Sequence, residues 1–239
     1  YQATLRLGVT TTTGDAEGDV VATRPVEVSA EQILAVQQRF TGPIRQIPPM
    51  HSALKKDGKA LYEYAREGIE VDRQPRDVFI HALELTPALA DTAYPAIKIV
   101  ASVSKGTYIR TLGEDIGAAL GCGGHLVALR RISTGNFAET QCVTLPALEA
   151  MSEEQRLACL LPVESLLAGH TRVTLDADNA GRFLSGLRRR GRWPDAGQVE
   201  VFGTQPAALL GTAHVAGGEL IPGRLLSPIE IQQILEAKS

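Results

Sequence analysis

Apolar and polar residues alternate with period two through Tyr1-Gln2-Ala3-Thr4-Leu5-Arg6-Leu7, the pattern of a half-buried strand. Residues 10–18, with Gly14, Asp15 and Gly18, read as a loop. Ser29-Ala-Glu-Gln32 has the form of a capping box and opens a helix with Ile33, Leu34, Gln37 and Phe40 along roughly one side; Gly42-Pro43 ends it. Residues 46–59 read as a long loop and residues 59–66 as a short helix. Residues 78–85 and 97–104 read as strands, the second with Ile97, Ile99, Ala101 and Val103 on one face. Residues 108–120 place Ile109, Leu112, Ile116 and Leu120 at helical spacing, with Gly121 as the stop. A further strand is predicted over 125–131 and a helix over 147–161, leading to Pro162.

Beyond Leu167 the texture changes. Short apolar runs (172–175, 199–202, 208–215 and 219–226) alternate with turns rich in glycine and proline, which suggests a small β-rich unit. The pattern predicts an α+β chain: a mixed, mainly antiparallel sheet flanked by helices over residues 1–166, then a β module over 167–239.

Composition narrows the function classes. The chain has 239 residues, 44% hydrophobic and 21% charged, and a net charge of −3, so any affinity for nucleic acid rests on local basic stretches. Cys122, Cys142 and Cys159 are odd in number and widely spaced, which argues against disulfide staples and structural zinc and places the chain in a reducing cytoplasm. No apolar run reaches the roughly 20 residues of a membrane span, and no signal-peptide pattern occurs. The five histidines lack ligand spacing, so no metal site is expected.

Three segments carry candidate chemistry. In Ser104-Lys-Gly-Thr-Tyr-Ile-Arg110 a strand runs through a glycine into a helix bearing Tyr108 and Arg110 in its first turn. A fixed cation there suits a phosphate or a carboxylate, although an ordinary turn with a solvated arginine has the same spacing. Between Arg45 and Arg66 five basic residues, including Lys55 and Lys59, face two acidic ones, Asp57 and Glu63. Lysines on a loop beside Tyr62 and Tyr64 can track a phosphate backbone, and equally can be a solvated surface. Arg182, Arg188, Arg189, Arg190 and Arg192 form the densest basic run, either a phosphate site or a solvated helix end. Glu114-Asp115 reads as a pair of exposed helical acids.

Taken in order, these segments resemble the TruB family of pseudouridine synthases. The matching runs are Tyr1-Gln-Ala-Thr-Leu-Arg-Leu-Gly8, Thr11-Thr-Thr-Gly-Asp-Ala-Glu-Gly18, Gln46-Ile-Pro-Pro-Met-His-Ser-Ala-Leu-Lys55, Gly58-Lys-Ala-Leu-Tyr-Glu-Tyr-Ala-Arg66, Ser104-Lys-Gly-Thr-Tyr-Ile-Arg110 and Gly121-Cys-Gly-Gly-His-Leu-Val-Ala-Leu-Arg-Arg131. The likeness is close to about Thr144 and looser beyond Leu167, where it resembles the family's PUA-like RNA-binding appendage. The resemblance implies isomerisation of uridine 55 in the tRNA T-loop, by a monomer that needs no metal, organic cofactor, membrane or obligate protein partner. It implies that Tyr1 stacks on the target uracil, that Tyr108 and Leu129 line its pocket, and that Arg110 pairs with a nucleophilic aspartate. Residues 46–66, with Lys55 and Lys59, correspond to a thumb loop that closes over RNA.

Two departures follow. Thr11-Thr12-Thr13 stands where the family often has Thr-Asp-Thr, so a supporting carboxylate is expected to be missing. The Gly-His-Thr-Gly-x-Leu-Asp-Pro motif that carries the nucleophile does not occur, and the resemblance places it a few tens of residues before Tyr1. Without it, Arg110 is expected to sit unpaired and sheet edges near Tyr1 to be exposed. A non-catalytic RNA-binding protein, using the basic loop and the β module, and a guide-RNA-dependent synthase are the competing readings.

Overall fold

In the computed structural model, which describes residues 1–88 and 94–237, the alternation at the start of the chain becomes β1 (Gln2–Leu7), with Ala3, Leu5 and Leu7 buried. β2 (Val9–Thr11) and β3 (Val20–Thr23) pair as a hairpin, so the segment read as a loop from residue 10 begins as strand. In α1 (Ala30–Phe40) both arms of the Ser29–Gln32 capping box form. Ile33 and Val36 are buried, but Leu34, read on roughly the same side as Ile33, is 53% exposed. At about 100° per residue it lies a quarter-turn off the Ile33–Val36–Phe40 stripe. Gln37, on that stripe, instead accepts a hydrogen bond from the Leu85 N–H at 2.9 Å, tying the helix to the sheet.

β4 (Gly42–Gln46) follows directly. The predicted long loop contains a small hairpin, β5 (Lys55–Lys56) and β6 (Lys59–Ala60), turned by Asp57 at φ 51° and Gly58 at φ 81°. Asp-Gly is the residue pair that such a two-residue turn favours. Next come α2 (Leu61–Arg66), β7 (Arg76–Pro87), β8 (Ala96–Val103), α3 (Ile109–Ala119) and β9 (Gly124–Arg130). The five long strands form an antiparallel sheet in the order β4-β7-β8-β1-β9. β1 therefore lies inside the sheet and hydrogen-bonds on both sides, and the sheet edge nearest Tyr1 is its neighbour β9. The sheet's inner face, α1 and α3 share one core around Leu5, Ile80, Ile97, Ile99, Leu112 and Ile116. A short hairpin, β10 (Ser133–Thr134) with β11 (Phe137–Ala138), lies near the end of this unit, Tyr1–Thr140.

The second unit, Gln141–Ser239, takes in the segment before the change of texture at 167. Its predicted first helix is two, α4 (Leu145–Ala150) and α5 (Glu153–Ala158). Ser152 and Gln155 form a second capping box, and Met151 is extended, so the pattern restarts rather than continues. Then come β12 (Thr171–Leu175), α6 (Ala177–Leu184), β13 (Arg189–Arg190), β14 (Ala196–Gly203), β15 (Leu209–Ala216), β16 (Glu219–Leu225) and α7 (Pro228–Glu236). The sheet order is β12-β14-β15-β16-β13, antiparallel except for the parallel pair β12 and β14. Phe183, Val199, Val201, Leu210 and Leu220 fill a separate core. The architecture is α+β, with mainly antiparallel sheets flanked by helices.

Candidate active site

Helix α3 carries the central motif, and glycine sets how closely it approaches the sheet. A Cβ at Gly113 would lie 2.9 Å from Leu126 Cδ2, and one at Gly117 only 2.5 Å from the Gly124 nitrogen. The turn before the helix is fixed to β7: Ser104 N–H donates to Phe79 O at 2.8 Å, and the Phe79 N–H donates to Ser104 Oγ at 2.9 Å. Gly106, at φ 89°, supplies the left-handed step that this turn needs.

Tyr108 is the N-cap of α3 and has no side-chain capping bond of its own. Its backbone is instead bracketed by Gln46 at the end of β4. Gln46 Oε1 accepts from Tyr108 N at 3.1 Å, and Gln46 Nε2 donates to Tyr108 O at 3.3 Å. Gln46 is 2% exposed.

Arg110, in the first turn, is not unpaired. Its Nη1 donates to Asp15 Oδ2 at 2.7 Å, and its Nη2 donates to the His51 carbonyl at 2.7 Å. The carboxylate that pairs with Arg110 is Asp15, from the turn after β2; position 12, where the family often has aspartate, is threonine. Thr13 Oγ1 donates to Asp15 Oδ1 at 2.6 Å and the Glu17 N–H to the same oxygen at 3.2 Å. Burial alone would raise the Asp15 pKa; the hydrogen bonds from Thr13, Arg110 and Glu17, and the charge of Arg110, outweigh it and hold the carboxyl below its ordinary value.

Glu114 and Asp115 are half-buried rather than exposed. Glu114 lies one turn beyond Arg110 and backs the Gly14 turn, where an added Cβ would be 2.7 Å from Glu114 Cδ. Burial first, then the negative charges of Asp115 and Asp15, push the Glu114 pKa up against the pull of Arg110. Burial likewise raises Asp115, opposed by Arg39.

Tyr1 extends the β1–β8 ladder, since the Ala101 N–H donates to Tyr1 O at 3.0 Å. Its ring packs against the core, with Arg131 Cζ 5.0 Å from the ring centroid. Tyr1 and Arg131 line a cleft of about 660 Å³ together with Ala101, Val103, Ser104 and Thr107. Among the described residues its lining does not include Tyr108, Arg110 or Leu129. Leu129 pairs with Ala3 in register, on the same face as Tyr1, and is 48% exposed.

Lys55 is exposed on β5, whereas Lys59 is engaged within the loop. Its Nζ lies 2.5 Å from Glu67 Oε2 and 4.7 Å from the Tyr64 ring centroid. In the second unit, Arg182 pairs with Asp178 at 3.1 Å, and Arg188 and Arg190 share Glu219 at 3.4 and 2.9 Å. Three of the five arginines of the basic run are thus paired with two acids that lie outside it.

Asp15 and Gln46 escaped the sequence reading. They lie 95 and 62 residues from their partners, and neither has a local spacing signal. Asp15 was marked only as a turn residue and as part of a motif run, Gln46 only as the start of another.

Two family models divide most of the chain: TruB family pseudouridylate synthase (N terminal domain) over residues 1–109, and tRNA pseudouridylate synthase B C-terminal domain over 110–168. The tRNA pseudouridine synthase B of Verminephrobacter eiseniae (strain EF01-2) is 59% identical, covering 100% of this chain and 73% of that protein. That of Ralstonia pickettii (strain 12J) is 52% identical, over 95% of this chain and 74% of its own. Among solved structures, a chain of a Cbf5-Nop10-Gar1 complex matches with TM-score 0.63 at 21% identity, over 96% of this chain and 67% of that one. An archaeal box H/ACA sRNP Nop10-Cbf5 complex gives TM-score 0.61 at 19% identity, over 95% and 66%. The chain belongs to the TruB family of pseudouridylate synthases.

Proposed function

We propose that the protein isomerises uridine to pseudouridine in tRNA, at position 55 of the T-loop. The observation that carries this reading is the 59% identity, along the whole chain, to a protein named for tRNA pseudouridine synthesis. In this reading residues 1–166 are the catalytic domain and residues 167–239 a PUA-like RNA-binding module.

The reaction breaks the N1–C1′ bond, turns the detached uracil, joins C5 to C1′ and releases the C5 proton, while N1 gains one, so the product is an isomer. A base buried in a loop stack must leave it first, and the Tyr1 ring replaces the stacking lost. Leu129 and Tyr108 wall the base, keeping water from the detached state. A carboxylate traps the sugar or the base covalently. Arg110 keeps that acid ionised and aimed; a guanidinium has five N–H donors, enough for Asp15, the His51 carbonyl and a further carboxylate. Lys55 and Lys59 engage the RNA backbone, Lys59 by exchanging Glu67 for phosphate.

The nucleophile belongs to the Gly-His-Thr-Gly-x-Leu-Asp-Pro motif, which these 239 residues lack, so we expect no turnover from them alone. Tritium release from a C5-labelled tRNA transcript tests both parts. Release by a chain that includes the motif, lost when position 55 of the transcript is cytidine, is the expected result. Robust release by residues 1–239 would refute an external nucleophile. Binding without release, even with the motif present, would instead favour a non-catalytic RNA-binding protein.

A further inference from the structure

We propose that Gln46 is a positioning residue of this site, whose carboxamide fixes the first turn of α3 and thereby aims Tyr108 and Arg110. The inference rests on the uridine-isomerising reading above.

The first N–H groups of a helix have no partner within the helix, and a cap normally supplies one. Tyr108 occupies the cap position with an extended backbone, φ −99° and ψ 112°, and makes no side-chain capping bond. In that conformation its N–H and C=O point to the same side, so one amide can bracket both. Gln46 does so, accepting at 3.1 Å and donating at 3.3 Å from a site only 2% exposed. A buried carboxamide with both ends satisfied, reaching an element 62 residues away, fixes position more than it adds stability. The chain leaving Gln46 then returns to the same helix turn, because the His51 carbonyl accepts from Arg110 at 2.7 Å. Residues 46–51 are therefore strapped to the start of α3 at both ends. Arg73 holds the middle of the strap, donating to the Pro48 carbonyl at 3.1 Å.

The bracket requires an acceptor and a donor on one planar group. Methionine matches the length of glutamine and offers neither. An ionised carboxylate accepts but cannot donate, and would face the Tyr108 carbonyl; a protonated one does both. Gln46→Met and Gln46→Glu therefore separate positioning from bulk.

The test uses the complete enzyme, including its nucleophile motif, with single-turnover pseudouridine formation and tRNA affinity measured from pH 6 to 8. Gln46→Met should lower the single-turnover rate by about 10- to 100-fold, the scale of a misplaced reacting group, with tRNA Kd changed less than about threefold. Gln46→Glu should be similarly slow at pH 8 and regain rate relative to wild type towards pH 6. Hydrogen–deuterium exchange over residues 105–111 reads the bracket without turnover and should speed up in Gln46→Met while β7 and β8 are unchanged. A wild-type enzyme that binds tRNA without isomerising it, yet shows this local change on substitution, sinks the functional reading and leaves the bracket standing. Variants with wild-type rates, or with rate and affinity falling together, overturn the assignment of Gln46.

Discussion

Arg110 is held from two loops at once, so removing it separates chemistry from binding. Arg110→Ala takes from Asp15 a charge-assisted hydrogen bond, and the pair's side chains are only 25% and 24% exposed. The expected loss of stability is about 1–3 kcal/mol, read by urea unfolding. Turnover should fall by orders of magnitude while tRNA affinity changes little; equal loss of both would refute the assigned role. Asp15 itself has a depressed pKa, so its contribution to stability is present above the ordinary carboxylate range and fades as pH falls through its folded value. Glu114 has the opposite sign. Its folded pKa is raised from an ordinary 4.5, so the ionised form is disfavoured in the native state and stability is lost as pH rises through the folded value. Glu114→Gln should therefore melt roughly 1–3 °C higher than wild type at pH 7.5, and the two should converge below about pH 4. A difference that persists at low pH would show that packing, not charge, is the cause. The sequence singled out Arg110 as a candidate through its motif and its place after a glycine turn. It could not show Asp15 as the partner, because ion pairing across two loops leaves no periodic trace.

The legible elements were those whose burial imposes a period. β1 and β8 alternate because one face of their sheet meets α1 and α3, and α3 shows its stripe because Leu112 and Ile116 are fully buried. α7 was missed and α6 was glimpsed only as a possible helix end at Arg182, although Ser227 and Asp176 cap them, since each buries few residues and the surrounding strands dominate the pattern. The hairpin of β5 and β6 is two residues per strand, too short for any period, and only Asp57-Gly58 marked it. Glycines within helices carry a sharper contrast. Gly117 of α3 has the Gly124 backbone 2.5 Å from where a Cβ would stand, whereas Gly181 of α6 has nothing within 4 Å. Gly117→Ala should push α3 from β9 and cost about 1–3 kcal/mol, lowering turnover as Arg110 moves with the helix. Gly181→Ala should stabilise by about 0.5–1 kcal/mol through helix propensity. Denaturant midpoints of the two variants must move in opposite directions; the same direction would mean that the close approach at Gly117 does not constrain the helix.

At the scale of the whole molecule, a net charge of −3 has to coexist with an RNA substrate. The structure shows how the obvious basic run is moderated. Of its arginines, Arg182 is held by Asp178, while Arg188 and Arg190 share Glu219. Arg189 donates to the Asn179 side chain at 2.9 Å. Exposed pairs of this kind add little stability, so their consequence is electrostatic: phosphate must compete with carboxylates already in place. If the second unit contributes to RNA binding, Glu219 is the residue that limits it. Glu219→Gln frees two arginines without altering shape and should leave the melting temperature nearly unchanged. The affinity for tRNA should rise, and the slope of log K against log salt should steepen by roughly 0.7–0.9 for each phosphate newly contacted. Both effects should disappear when Arg188 and Arg190 are replaced by glutamine in the same protein. An unchanged slope in Glu219→Gln would show that Arg188 and Arg190 make no RNA contact, and would shift the argument to the first unit, where Arg131 lies over the Tyr1 ring and Lys55 is exposed on its hairpin.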